Sequence, residues 1–199
     1  MARPRAATYD GQRAHILSSA AALFAQRGYT AATLNEVAAA SGVSKATLYH
    51  YFSDKHALLE DIARSHVARL EALVDEACAQ PGEASPEQVL RDLIERFMKT
   101  YAHAQHEHRV LTEDVKFLQP ASRETVIEGQ RRVVAAFADA VARCRPDLPA
   151  ALHAPLAMLL FGMINWTFTW LRPEGPLTHE ALAPIVSDLL FGGLPAVRG

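Results

Sequence analysis

From Ile16 onward, apolar residues in this chain recur at three- and four-residue intervals and do not alternate, which restricts it to helices. Ile16, Leu17, Ala20, Leu23 and Phe24 make one helical stripe, and Gly28 ends it. Thr33 is placed to cap a short helix from Leu34 to about Ala40, Gly42 breaks the chain, and Ser44 caps a second short helix reaching about Tyr51. A long helix then starts at Ser53 or Asp54, with Leu59, Ile62, His66, Leu70, Leu73 and Ala77 on one face. The Pro81–Pro86 stretch, PGEASP, reads as a loop, and further helices are expected near 86–102, 106–118, 121–144, 152–171 and 178–191. The expected fold is all-α with about nine helices, a small head over residues 1–54 and a larger helical body over 55–199.

With half of its 199 residues apolar and 21% charged, the chain has the balance of a folded soluble domain. Its two cysteines, Cys78 and Cys144, form no CxxC pair, which points to free thiols in a reducing, cytoplasmic compartment. The first residues show no secretory signal. From Leu152 to Leu171 the chain is apolar enough to suggest a membrane span, but His153, Pro155 and Pro173 interrupt it, and a buried helix is the expectation. The net charge of −2 is unevenly spread. Residues 1–56 carry Arg3, Arg5, Arg13, Arg27, Lys45 and Lys55 against Asp10, Glu36 and Asp54, leaving a basic head on an acidic body. That asymmetry suits a polyanion partner at one end.

Chemistry concentrates in GYTAATLNEVAAASGVSKATLYHYFSDK, residues 28–55. Two short helices joined at Gly42 make a helix-turn-helix whose second helix can enter a major groove. Ser44, Lys45, Thr47, Tyr49 and His50 offer donors for phosphates and base edges, while Val43 and Leu48 give that helix its apolar face. TLNEVAAASGVSKATLYHYFSDKHALLED is very similar to the DNA-binding head of tetracycline-repressor-like (TetR) regulators, with Gly42, Val43, Ser44, Thr47, Leu48, Tyr49, Tyr51, Phe52 and Lys55 matching. The resemblance implies a DNA-binding helix-turn-helix head over residues 1–54 and a ligand-binding and dimerisation domain over 55–199. It also implies a homodimer on palindromic double-stranded operator DNA, repression relieved by a small molecule, and no membrane role. Position by position, it implies that Thr33 caps its helix and touches phosphate, and that Lys45 and Ala46 approach bases. Thr47, Tyr49 and Tyr51 would contact phosphate or groove, His50 would face the groove, and Lys55 would meet phosphate. Leu48 and Phe52 would pack inward. Arg3 and Arg5 would lie on a flexible N-terminal arm, open to minor-groove contacts.

A looser resemblance covers HRVLTEDVKFL and MINWTFTWLRPEGPLTHEALAPIVSDLLFGGL, which look like the body of TetR-type regulators answering to acyl-CoA thioesters. It implies no bound cofactor and a small hydrophobic inducer, an acyl-CoA, within that class an aromatic one such as phenylacetyl-CoA. Phe97, Tyr101, Phe117, Met163, Asn165, Trp166 and Trp170 are the expected ligand-binding residues, with Thr167 and Thr169 as further donors or as caps on their own helix. Arg109, Arg131, Arg132 or Arg172 would meet phosphates. Leu182, Ile185 and Leu189 are the expected dimer face. Two rivals stay open: a sensor of lipophilic cations using Glu113, Asp114 and Glu128, and a constitutive architectural DNA binder without ligand. No metal site is expected, because His103, His106 and His108 do not share a helical face. HEHR is not HExxH, and no GxSxG, P-loop or GxGxxG occurs, so no enzyme is expected.

Overall fold

The computed structural model describes residues 3–79, 84–172 and 175–198. It is all-α, without a strand among the described residues. The helices are α1 (Arg3–Arg27), α2 (Leu34–Ala40), α3 (Lys45–Tyr51), α4 (Lys55–Ala79), α5 (Pro86–His103), α6 (Gln105–Glu113), α7 (Pro120–Cys144), α8 (Ala150–Ile164), α9 (Thr167–Trp170) and α10 (His179–Gly193). Short 3-10 turns follow α6 at Val115–Phe117 and α10 at Leu194–Ala196. Pro81, Gly82 and Pro173, expected in loops, lie outside the described residues.

Two compact units share the chain. The first runs from the start to Val67 and takes in His106–Val126; the second is Ala68–Gln105 with Ile127–Gly199. α4 therefore begins in one unit and finishes in the other.

In the first unit, Ile16, Ala20, Ala21 and Phe24 of α1 are buried with Val37 of α2, Leu48 of α3 and Leu58, Leu59 and Ile62 of α4. Gly28 (φ +81°) lets the chain leave α1, and Gly42 (φ +63°) makes the turn between α2 and α3. Both φ values lie where a Cβ would be strained. After Ser41, Gly42 N–H donates to Ala39 O at 3.2 Å and Val43 N–H to Ala38 O at 3.0 Å, which satisfies the last carbonyls of α2.

The second unit is built round aromatic packing. Phe97 of α5, Phe137 of α7 and Phe161 of α8 meet edge to face, with Phe97–Phe137 and Phe137–Phe161 both at 4.8 Å between centroids. α10 packs along α5, burying Leu182, Ala183, Val186 and Leu190.

Three expectations are corrected. α1 starts at Arg3, so the backbone of the expected N-terminal arm is helical. The helix expected over 152–171 divides at Asn165–Trp166, where Thr167 Oγ1 donates back to Ile164 O at 2.8 Å and α9 adds a single turn. Ala150–Trp170 is nevertheless long and apolar enough to cross a membrane by length and composition, because its mean hydropathy outweighs His153 and Pro155. Only 33% of its most apolar window is buried, with Met158 and Leu159 on the surface of α8.

Candidate nucleic-acid interface and effector region

The α2–α3 segment is positioned by caps. Thr33 and Glu36 form a capping box: Thr33 N–H donates to Glu36 Oε2 at 2.9 Å, and Glu36 N–H to Thr33 Oγ1 at 3.3 Å. The Thr33 bonds, and Arg27 paired with the carboxylate, hold Glu36 below the usual carboxylate range. Ser44 caps α3 by accepting Thr47 N–H at 3.0 Å, and its hydroxyl lies 2.8 Å from Thr47 Oγ1. Leu48 and Phe52 are buried, as the register requires, which leaves Ser44, Lys45, Ala46, Tyr49 and His50 exposed on the opposite side. Thr47 and Tyr51 are half-buried. Lys45 Nζ lies 5.9 Å from the Tyr49 ring centroid, so a cation and a hydroxyl-bearing ring stand together on the exposed face. The face carries donors and little apolar area, which suits phosphates and base edges.

Lys55 sits differently from its neighbours. Its ammonium donates to the carbonyls of Tyr29 at 2.7 Å, Thr30 at 3.2 Å and Ala32 at 2.8 Å, and it lies 4.4 Å from the Tyr29 ring centroid. An ammonium has three donors. All three close the turn after α1, so a phosphate contact would have to displace one of them. Burial pushes the Lys55 pKa down. Tyr29 also shares a hydrogen bond of 3.0 Å with His56 Nδ1 and stacks on Phe117 at 5.4 Å. Burial, then Asp54 and Asp114, raise the Tyr29 pKa. Asp114, buried beside Glu113, is pushed up to about 6, chiefly by desolvation. Deeper in this unit, His66 Nε2 and His108 Nδ1 lie 3.3 Å apart.

The residues expected to bind an effector are spread out. Phe97 and Tyr101 are buried on α5, and Tyr101 Oη donates to Asn165 Oδ1 at 2.9 Å. Burial drives the Tyr101 pKa upward. The structure thus brings Phe97, Tyr101 and Asn165 together, with Met163 half-buried. Trp166 and Trp170 are 50% and 53% exposed, with Trp166 near Phe168 at 5.9 Å. Phe117 belongs to the first unit, against Tyr29. Thr169 Oγ1 donates to Trp166 O at 2.6 Å, so Thr167 is spent on the end of α8 and Thr169 on the start of α9. Arg109, Arg131 and Arg132 pair with Glu113, Glu128 and Glu71 respectively. Of the expected dimer face, Ile185 and Leu189 are exposed, whereas Leu182 is buried in the protomer's own core, three residues round α10 from Ile185.

Two family descriptions match this architecture in chain order. "Bacterial regulatory proteins, tetR family" covers residues 16–62, and "Tetracyclin repressor-like, C-terminal domain" covers residues 83–194, more than half of the chain. The chain belongs to the TetR family. The transcriptional repressor KstR2 of Mycobacterium tuberculosis is 26% identical over 203 residues, covering 93% of this chain and 94% of that protein. A crystal structure of a TetR-family regulator from Bordetella parapertussis superposes with a TM-score of 0.85 at 33% identity, covering 94% and 97% of the two chains. AibR in complex with isovaleryl coenzyme A and operator DNA shares the fold, with a TM-score of 0.79 at 24% identity and coverage of 90% and 98%.

Sequence reasoning missed one set of side chains near α3. Tyr9, Gln12 and Arg13 of α1 reach Tyr51, Phe52 and Asp61: Tyr51 Oη donates to Gln12 Oε1 at 3.3 Å, and Arg13 lies over the Phe52 ring and pairs with Asp61. The spacing 9, 12, 13, 16 and 20 continues the stripe of α1 backward, a signal obscured by reading the N-terminal residues as an arm.

Proposed function

We propose that this TetR-family protein is a dimeric repressor that reads a palindromic operator with α3 and leaves it when a small hydrophobic effector occupies the second unit. The observation that carries the reading is the α3 face: Ser44, Lys45, Tyr49 and His50 are exposed on a helix anchored by buried Leu48. Ala46, Thr47 and Tyr51 complete that face, and Thr33 borders it at the start of α2. Lys55 contributes by holding the turn that presents α2. Doubling such a small head on two half-sites is how helix-turn-helix proteins gain affinity. For the pair interface, Met158 and Leu159 of α8 and Ile185 and Leu189 of α10 supply exposed apolar side chains. Leu159→Glu with Leu189→Glu should give a monomer by sedimentation and weaken operator binding by ~100-fold or more. Binding unchanged in a monomer would break the dimer reading.

The effector class we infer is an acyl-CoA thioester. Its support is an aromatic interior with one placed polar pair, Tyr101–Asn165, and the isovaleryl coenzyme A held by AibR. An effector moves the equilibrium only by its differential affinity for the DNA-competent and DNA-free forms. Titrating isovaleryl-CoA, phenylacetyl-CoA, free CoA and a lipophilic cation into a DNA-shift assay tests it. Release by the thioesters and not by free CoA is the expected result. Release by the cation alone would overturn it in favour of a cation sensor, and no release by any would favour constitutive binding.

A further inference from the structure

Beside the exposed end of α3 lies a cluster of three rings from two helices. Tyr9 of α1 is edge-on to His50 at 6.1 Å between centroids with an interplanar angle of 90°. It packs on Tyr51 at 4.5 Å and 30°, while His50 and Tyr51 are themselves edge to face at 5.5 Å and 80°. The Tyr51 ring is tied down at its far end by the bond to Gln12, one turn along α1 from Tyr9. His50 and Tyr9 are the exposed members of this set, and Tyr51, half-buried, is bonded to α1.

Tyr9 is 40% exposed, so core packing does not account for an aromatic residue there. The path of α1 beside α3 and α4 is secured without it: Arg13 stacks over Phe52 at 5.2 Å and pairs with Asp61, and Ile16, Ala20 and Phe24 are buried. What Tyr9 adds is local. A histidine alone on a helix surface samples several χ1 and χ2 states, and must give them up when its ring contacts a base. A ring edge on one side and Tyr51 on the other remove most of those states before DNA arrives, so the ordering cost is met in the free protein.

We propose that Tyr9 is a positioning residue for sequence reading: its ring holds His50 in the orientation in which α3 presents it to the groove. The inference rests on α3 being the reading helix, and it assigns a role in specificity to a side chain outside the helix-turn-helix. Two consequences distinguish it from a phosphate contact. Losing the ring should blur the choice of base at the positions that His50 reads, and leave the others sharp. It should also leave the salt dependence of binding unchanged, since no phosphate charge is neutralised by Tyr9.

The test is in vitro selection from a random-sequence duplex library with the full-length wild type, Tyr9→Ala, Tyr9→Leu, Tyr9→Phe and His50→Ala, followed by affinity measurements on the wild-type consensus at several salt concentrations. Tyr9→Ala and Tyr9→Leu should bind that consensus about three- to tenfold more weakly, the cost of ordering one side chain. They should lose base preference where His50→Ala loses it, with the wild-type salt slope, and Tyr9→Phe should behave as wild type. Tyr9→Leu keeps an apolar contact, so a loss shared by both variants at unchanged thermal stability reports the ring itself. An unaltered selected motif in Tyr9→Ala and Tyr9→Leu would overturn the proposal. So would a loss in Tyr9→Phe as large as in Tyr9→Ala, which would make the hydroxyl, and not the ring, the group that acts. A wild type that selects no motif would instead remove the reading of α3 on which this rests, a failure recognisable before any variant is made.

Discussion

The two units differ in the length of the helices that carry their exposed faces and in what those faces present. The first unit uses its polar groups to fix short helices: the Thr33–Glu36 box, the Ser44 cap and the three carbonyls held by Lys55. Its aliphatic core residues, such as Ile16, Val37, Leu48 and Leu58, are drawn inward and α3 keeps an exposed face of donors. The second unit buries rings against rings, keeps Tyr101–Asn165 among them, and leaves Met158, Leu159, Ile185 and Leu189 facing out. Helices of seven residues have no independent stability, so α2 and α3 depend on caps and turns. Helices of fifteen residues or more can rely on packing, and their surplus apolar surface is free to serve another chain.

That contrast can be broken most severely in the second unit. Phe97→Ala removes a fully buried ring that touches Phe137 and Phe161, and should cost about 3–5 kcal/mol, read as a lowered urea midpoint. A loss under 1 kcal/mol would mean that this core is looser than its packing indicates. Gly42→Ala probes the turn instead. Open space surrounds a Cβ there, so the cost is backbone strain at φ +63°, about 1–2 kcal/mol, with weaker operator binding because α3 is displaced. Unchanged stability would show that the turn can relax to negative φ.

The smallest effect is a pH dependence in the first unit. Asp114 has a folded-state pKa of about 6 against 3.8 in a free chain, so the folded form holds its proton more tightly. Its contribution is therefore full below about 4 and is lost as the pH rises through about 6. Between those limits, wild type should lose stability relative to Asp114→Asn by of order 1 kcal/mol after solvent screening. Parallel stability curves for the two proteins would show that Asp114 is solvated like an ordinary surface carboxylate.

Much of the first unit was legible because its rules are local. Gly42 announced a left-handed turn, Ser44 and Thr33 announced caps, and the apolar face of the second helix put Leu48 inside. What the sequence did not show at Lys55 is the set of Tyr29, Thr30 and Ala32 carbonyls round its ammonium, which only folding brings together. Tyr9 escaped notice because a helical stripe is hard to distinguish from a polar tail until α3 lies beside it. In the second unit the apolar pattern identified helices but could not say which apolar residues face inward. Leu182 and Ile185 are near neighbours on α10, one buried and one exposed. The stacking of Phe117 on Tyr29 was likewise not legible, because the two rings lie far apart in the chain.

By itself the sequence determined the all-α class, the helix-turn-helix register and its outward-facing donors, because helical periodicity, caps and glycine turns act within a few residues of the chain. The tertiary structure decided the break at Asn165–Trp166, the clamp at Lys55, the rings round His50 and the division between core and surface on α8 and α10. Each of these depends on groups distant in sequence meeting in space, and only packing establishes which of them do.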